Sequence, residues 1–435
     1  MGLVDTIYRL AYTFAGAWLR LKKRKKGKQM TQQTNLSKRW LILITGVATM
    51  LFAGILYAWS ILKTPFASEL KYDPSVLALN FTLTMSFFCL GGFISGKLVK
   101  RFGTRITILF AGVLAGLGFV LTSRLGAELP FLLYLTYAFL AGSGIGISYI
   151  VIISTVNAWF PDRRGLSSGA LMMGFGVSTL LLGKIADALF QSSVGWRNTY
   201  LLIGCALALV VCLSSFVIKK PDENFVFPEK KTNAKTVQES FESKDYTPSE
   251  MVKRFTFWRA FFALICITAV GNSVISFARD LAISVGAKTA IAATLVGVLS
   301  VCNGLGRIIT GATFDTFGRK ITMIAASVLT FVAASVTLLA VAIHSLPLCI
   351  IGLCLTGLSY GTAPTIASAF TSAFYGQKHF ATNLSVCNFN LMVASFIATA
   401  CSSLQLSSGG YVLPITLLLC LATVAFGLIL SIKKP

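Results

Sequence analysis

Apolar residues along this chain gather in runs of about 18 or more, separated by short polar stretches. Such runs mark membrane-spanning helices. A window of about 19 residues places six of them near residues 40–62, 76–97, 106–123, 130–153, 166–189 and 199–218. Six more follow near 258–279, 289–313, 321–343, 347–372, 382–403 and 411–432. The runs are rich in Leu, Ala, Gly and Phe and lack sustained two-residue alternation, so helices are expected rather than a β-barrel. The third run is the shortest. The expected fold is an all-α membrane protein of twelve transmembrane helices.

The long polar stretch Lys219–Phe255 separates six spans from six, and its composition suits a flexible linker. The expected organisation is an N-terminal extension at 1–37, a six-helix bundle at 38–218, a linker at 219–257 and a second bundle at 258–435. The halves echo each other. GKLVKRFGTR from Gly96 recurs as GATFDTFGRK from Gly311, an offset of 215 residues, each after the second span of its half. Parallel repeats of this kind mark secondary transporters with a substrate site near the midplane between two bundles.

Composition supports the membrane assignment, with 55% hydrophobic and 12% charged residues in 435. The net charge of +23 raises nucleic acid as a partner, and the placement of the charges argues against it. Thirty of the 38 Lys and Arg fall on the side that carries both termini and the linker, and seven on the opposite side. By the positive-inside rule the termini and linker are cytoplasmic and the protein is a multi-pass cell (inner or plasma) membrane protein. The surplus is topology and attraction to anionic lipid, not a nucleic-acid footprint. One basic residue remains: Arg307 lies inside the eighth span.

The repeated loop carries a resemblance. G-x-x-x-D-x-x-G-R-K between a second and third span resembles the signature loop of the major facilitator superfamily (MFS). Gly311, Asp315, Gly318, Arg319 and Lys320 match it fully. The first copy keeps Gly96, Arg101 and Gly103 but has Lys100 where the acid is expected. These loop residues, with Pro364 of the tenth span as a kink, are the expected conformational elements. NAWFPDRRGLSSGALMMGFG from Asn157, TGLSYGTAP from Thr356 and NGLGRIITGATFDTFGR from Asn303 are similar to the oxalate/formate antiporter family, bacterial relatives of the monocarboxylate transporters. The likeness covers roughly residues 38–433. It implies two pseudo-symmetric six-helix bundles working by alternating access.

A cation inside a spanning helix costs roughly 2.5–3.5 kcal/mol on insertion scales and faces a cavity or a partner. No carboxylate in the sequence is an obvious partner for Arg307; Asp187 and Asp280 lie toward the outer ends of their spans. The missing anion is then the substrate, whose carboxylate a guanidinium grips in a bidentate pair. The alternative is that Arg307 snorkels to the cytoplasmic surface. Asn303, one turn earlier on the same face, can donate to the same anion. The resemblance puts an aspartate linked to proton coupling at that position in animal relatives, so Asn303 tilts the reading toward anion exchange over proton symport. It also puts a second cation of the oxalate carriers at Leu391, which disfavours oxalate and favours a monocarboxylate such as lactate, pyruvate or formate. Tyr57, Tyr149 and Tyr360 match pocket-lining tyrosines of the family, or pack as ordinary aromatics. Asn388 and Asn390 add polarity to the eleventh span, and at most one reaches a cavity because i and i+2 do not share a face.

Other motifs are set aside. GGFISGKL from Gly91 lacks the Ser/Thr of a phosphate loop. The ten cysteines have no paired C-x-x-C spacing, so neither zinc nor a disulfide frame is indicated. No nucleophile–base–acid set suggests an enzyme, and transport needs no cofactor or metal. The partners expected are a small organic anion, H+ if transport is proton-linked, and the bilayer. A monomer suffices. Residues 3–19 space Leu3, Ile7, Leu10, Phe14 and Trp18 as an amphipathic surface helix before the polybasic LKKRKKGK, unless Met30 is the true start. Two rival functions remain open at this level: an exporter of hydrophobic drugs or cations, and a transport-inactive anion sensor.

Overall fold

The computed structural model describes residues 37–221 and 245–432. The expected surface helix, its polybasic run and most of the linker lie outside the described residues.

Ten helices among the described residues are long and apolar enough to cross a membrane. They are α1 (Ser37–Ala58), α2 (Pro74–Thr122), α3 (Tyr134–Asn157), α4 (Gly165–Gln191), α5 (Gly195–Val217), α6 (Phe255–Ser284), α7 (Thr294–Ala342), α8 (Leu346–Tyr375), α9 (Phe380–Ser408) and α10 (Val412–Leu430). The sequence pattern predicts twelve, and the difference lies in α2 and α7. Each runs 49 residues, roughly 74 Å at 1.5 Å per residue, more than twice the hydrocarbon thickness. Each therefore makes two crossings. The break is one glycine with non-helical angles: Gly103 (φ 79°, ψ 167°) and Gly318 (φ 76°, ψ −178°). Both are the second glycine of the repeated loop, so the repeat motif is the bend. The short third span is the second arm of α2.

Two further irregularities meet at the interior. The end of α1 tightens into a 3₁₀ turn at Gly54–Ala58, and α4 loosens into a π turn at Thr179–Gly183. The two turns pack closely; a Cβ at Gly54 would collide with the Phe175 carbonyl oxygen just before the π turn. Altered turns of this kind recur at functional positions because they re-aim side chains.

The halves join along two helix pairs. In one, α4 lies on the first arm of α7 through glycines. A Cβ at Gly165 would collide with the Gly311 carbonyl, and one at Gly169 would meet the Arg307 carbonyl at 2.6 Å. In the other, α2 lies on α9, with the Thr82 and Thr399 hydroxyls 3.1 Å apart and Gly96 against Thr382. Small residues let helix backbones approach where no hydrophobic drive exists between helices in lipid. Large apolar side chains such as Ile44, Leu213, Phe216, Leu339 and Val424 point outward, as a lipid-facing surface requires.

The two ends of the linker are tied to different halves. Trp159 Nε1 donates to the Lys219 carbonyl at 2.6 Å. At the other end, Tyr246 N–H donates to the Tyr375 carbonyl at 3.1 Å, and Asn383 Nδ2 to the Tyr246 carbonyl at 2.9 Å. A short helix follows at Pro248–Val252, opened by a Thr247–Glu250 capping box. This face is called the linker side below.

Candidate anion site at the interface of the two halves

Arg307 sits on the first arm of α7 and is 2% exposed. Its Nε donates to Asn303 Oδ1 at 3.1 Å and its Nη1 to the Met172 carbonyl of α4 at 2.5 Å. Of five N–H donors, these two have protein acceptors; Nη2 has none. No carboxylate among the described residues lies within ion-pair distance. The snorkelling alternative is therefore corrected: the side chain turns inward, onto the facing half, because Gly176 leaves room for it. A Cβ at Gly176 would sit 3.1 Å from Arg307 Nε and 3.2 Å from Cζ.

Asn303 is 6% exposed and spends its oxygen on Arg307, which leaves the amide nitrogen as its donor. It holds the guanidinium and leaves its own amide donor beside it. As a neutral residue it orients the cation without cancelling it.

The three tyrosines converge. Tyr360 Oη donates to Tyr57 Oη at 3.3 Å, joining α8 of one half to α1 of the other. The Tyr57 ring packs edge-on against Phe175 at 5.3 Å, and Tyr149 against Phe175 and Phe88 at 5.1 Å each. The Arg307 charge lies within electrostatic reach of all three phenols. The Tyr149 hydroxyl has no hydrogen-bond partner among the described residues. Tyr360 owes its place to glycine: a Cβ at Gly271 of α6 would collide with its ring. Pro364, inside α8, lacks the N–H that would close a helical bond to the Tyr360 carbonyl.

The two asparagines of α9 separate. Asn390 is used in packing, accepting from Thr268 Oγ1 at 3.1 Å and donating to the Cys387 carbonyl at 2.6 Å. Asn388 is buried with its Nδ2 unpartnered, and its backbone carbonyl accepts from Cys89 Sγ. Cys89 is itself close to Tyr57 and Tyr149. The interior thus holds Arg307 Nη2 and the Asn303 amide, with the Tyr149 hydroxyl within electrostatic reach of the cation, and, beside Cys89, the buried Asn388 amide. It is donor-rich, and it is bounded by aromatic rings.

The sequence profile described as Major Facilitator Superfamily matches residues 41–399. The chain belongs to the Major Facilitator Superfamily. Within it, the chain is 30% identical to the oxalate:formate antiporter of Oxalobacter formigenes, over 68% of each chain. It is 27% identical to the uncharacterized MFS-type transporter YhjX of Escherichia coli (strain K12), over 82% of this chain and 86% of that one. Among solved structures, the proton:xylose symporter XylE superposes with a TM-score of 0.71 at 14% identity, covering 92% of this chain and 97% of its own. At that identity the match speaks for the fold.

In this MFS transporter the second signature loop bridges the halves. Asp315 Oδ1 accepts from Gly165 N–H at 3.0 Å and Oδ2 from Leu166 N–H at 2.9 Å, at the start of α4. A carboxylate at a helix N-terminus meets both free amides and the positive end of the helix dipole. Arg319 lies over the Phe374 ring at 4.1 Å. In the first loop Arg101 lies over Phe102 at 5.3 Å, and Gly96 and Gly103 occupy the places described above. Sequence reading missed Met172 and Gly176, which hold and admit the guanidinium, and Phe175, against which the Tyr57 and Tyr149 rings pack. Their signal was the glycine spacing of the GLSSGALMMGFG segment, with Gly165 and Gly169 one turn apart.

Proposed function

We propose that this MFS transporter carries small monocarboxylates across the membrane by alternating access, and that Arg307 grips the carboxylate. The observation that carries the reading is a cation 2% exposed with no carboxylate within ion-pair distance among the described residues. A buried charge left unpaired costs several kcal/mol. An anionic substrate removes that cost, and donors without acceptors in the same interior fit a carboxylate. The bounding rings of Tyr57, Phe88, Tyr149, Phe175 and Tyr360 suit an apolar tail. Formate, carried by one relative according to its name, is itself a monocarboxylate.

On this reading Asn303 and Asn388 donate beside Arg307, and Tyr57, Tyr149 and Tyr360 close over the substrate. The repeated loops and Pro364 serve the conformational change. Both termini and the linker face the cytoplasm. The neutral Asn303 favours anion exchange. The test is counterflow of labelled lactate, pyruvate and formate in proteoliposomes. Arg307→Ala should abolish exchange and Arg307→Lys should cut it severely, because an ammonium cannot reproduce the planar fork. Undiminished exchange by Arg307→Ala would overturn the assignment.

A further inference from the structure

The two signature loops are related by 215 residues, so Lys100 stands where the second copy has Asp315. The same offset relates Gly165 and Leu166, which Asp315 holds, to Phe380 and Ala381 at the start of α9. At that start no carboxylate among the described residues takes the Asp315 role. His379 makes no side-chain cap, and the N–H groups of Ala381 and Thr382 have no hydrogen-bond partner. In place of the missing contact is a cavity of about 460 Å³ on the linker side. Its walls bring together Lys100 of the first half, Lys220 at the linker's start, and Lys378 and His379 of the second half.

The cavity wall contains no Asp or Glu. The nearby acids among the described residues are already engaged. Asp162 pairs with Arg39 at 3.0 Å, with a longer approach from Arg163. Asp245 Oδ1 accepts from the Gln377 and Lys378 N–H groups at 2.9 and 3.0 Å. None of the three lysines forms an ion pair among the described residues. The polar lining of Thr155 and Thr382 adds hydroxyl donors, while the Ser154 hydroxyl donates to the Val151 carbonyl at 3.1 Å.

We propose that this cavity is a second anion site, distinct from Arg307, that takes a soluble multivalent oxyanion of the phosphate class. The anion supplies the negative charge that Lys100 removed from the first loop. It is held by lysines from both halves and by the open amides of α9, so it ties the halves together on the linker side. An occupied site opposes opening on that side and slows transport. The idea is independent of what binds at Arg307.

The experiment uses purified full-length protein and inorganic pyrophosphate as probe, with chloride at matched ionic strength as control. Pyrophosphate should raise the thermal unfolding midpoint by a few degrees in the wild-type chain and equally in Arg307→Ala. Lys100→Asp restores the missing acid and should abolish the response; the Lys220→Gln/Lys378→Gln pair should also abolish it and guards against a folding defect in the first variant. In proteoliposomes, pyrophosphate on the linker side should slow counterflow severalfold in wild type and not in either variant. No response in wild type overturns the proposal, as does an equal response in both lysine variants. A response lost in Arg307→Ala overturns it too, by locating the probe in the first site.

Discussion

At the scale of single residues, the charge state of one side chain sets the chemistry of the interior. Asn303 Oδ1 holds Arg307 Nε without neutralising it. Asn303→Asp would place a carboxylate in the same contact and occupy the guanidinium internally. Near neutral pH the variant should show an apparent affinity for monocarboxylate roughly tenfold weaker, about 1.4 kcal/mol. The loss should ease as pH falls through the new carboxyl group's titration, since protonation frees the cation. Counterflow measured across pH in variant and wild type checks this; a variant matching wild type at every pH would remove Arg307 from the substrate path. Gly271→Ala tests the aromatic side of the site. Its Cβ displaces the Tyr360 ring, so the Tyr360–Tyr57 contact is lost, and KM should rise with overpacking of about 1–3 kcal/mol. Arg307 itself was legible in the sequence, because a lone cation in an apolar run is conspicuous. Its hydrogen bond to the Met172 carbonyl was not, because a backbone acceptor on another helix leaves no mark in residue type.

At the scale of elements, the sequence showed where helices run but not which are continuous. Polar loops at residues 97–105 and 311–320 read as breaks, yet each is a helical turn bent at one glycine. The hydrophobic pattern records leaving the apolar layer; hydrogen bonding decides whether the helix stops. A Cβ at Gly318 would meet nothing within 4 Å, so its requirement is one of backbone angle alone. That angle region is essentially closed to other residues, at a cost of order 1–3 kcal/mol. Gly318→Ala should lower the thermal unfolding midpoint, while Gly427→Ala, an equally uncrowded position within α10, should leave it unchanged or raised, since alanine favours helix by about 0.5–1 kcal/mol. Equal midpoints for the two variants would remove the bend as the reason for the glycine. The 3₁₀ and π turns near Gly54 and Thr179 were invisible in sequence, because nothing in composition marks a one-residue shift in hydrogen-bond register.

At the scale of the whole molecule, six-plus-six organisation was legible from the repeat and the polar linker, whereas the inequality of the two signature loops became informative only in three dimensions. Asp315 makes two charge-assisted bonds across the halves. Such bonds contribute about 1.5–3 kcal/mol each, so the pair is a factor of roughly 100 or more in an equilibrium. Asp315→Ala should therefore open the linker side more often. Ser368 is a suitable reporter position, buried with its hydroxyl 3.0 Å from Ser168 of the other half. The thiol of a Ser368→Cys variant should react with a water-soluble maleimide many-fold faster in the Asp315→Ala background, and an unchanged rate would mean that the contact does not hold the halves.

The bond from Arg307 to the Met172 carbonyl carries a further consequence. It crosses between the halves, and it uses a donor that a bound carboxylate would claim. If Arg307 grips the substrate as proposed, an empty carrier is latched by the same group that waits for cargo, and loading trades the latch for the passenger. On that reading the return stroke without cargo is the slow leg of the cycle, so exchange of one anion for another should outpace net uptake into empty vesicles. A carrier working in this way would guard a gradient by making idleness immobile.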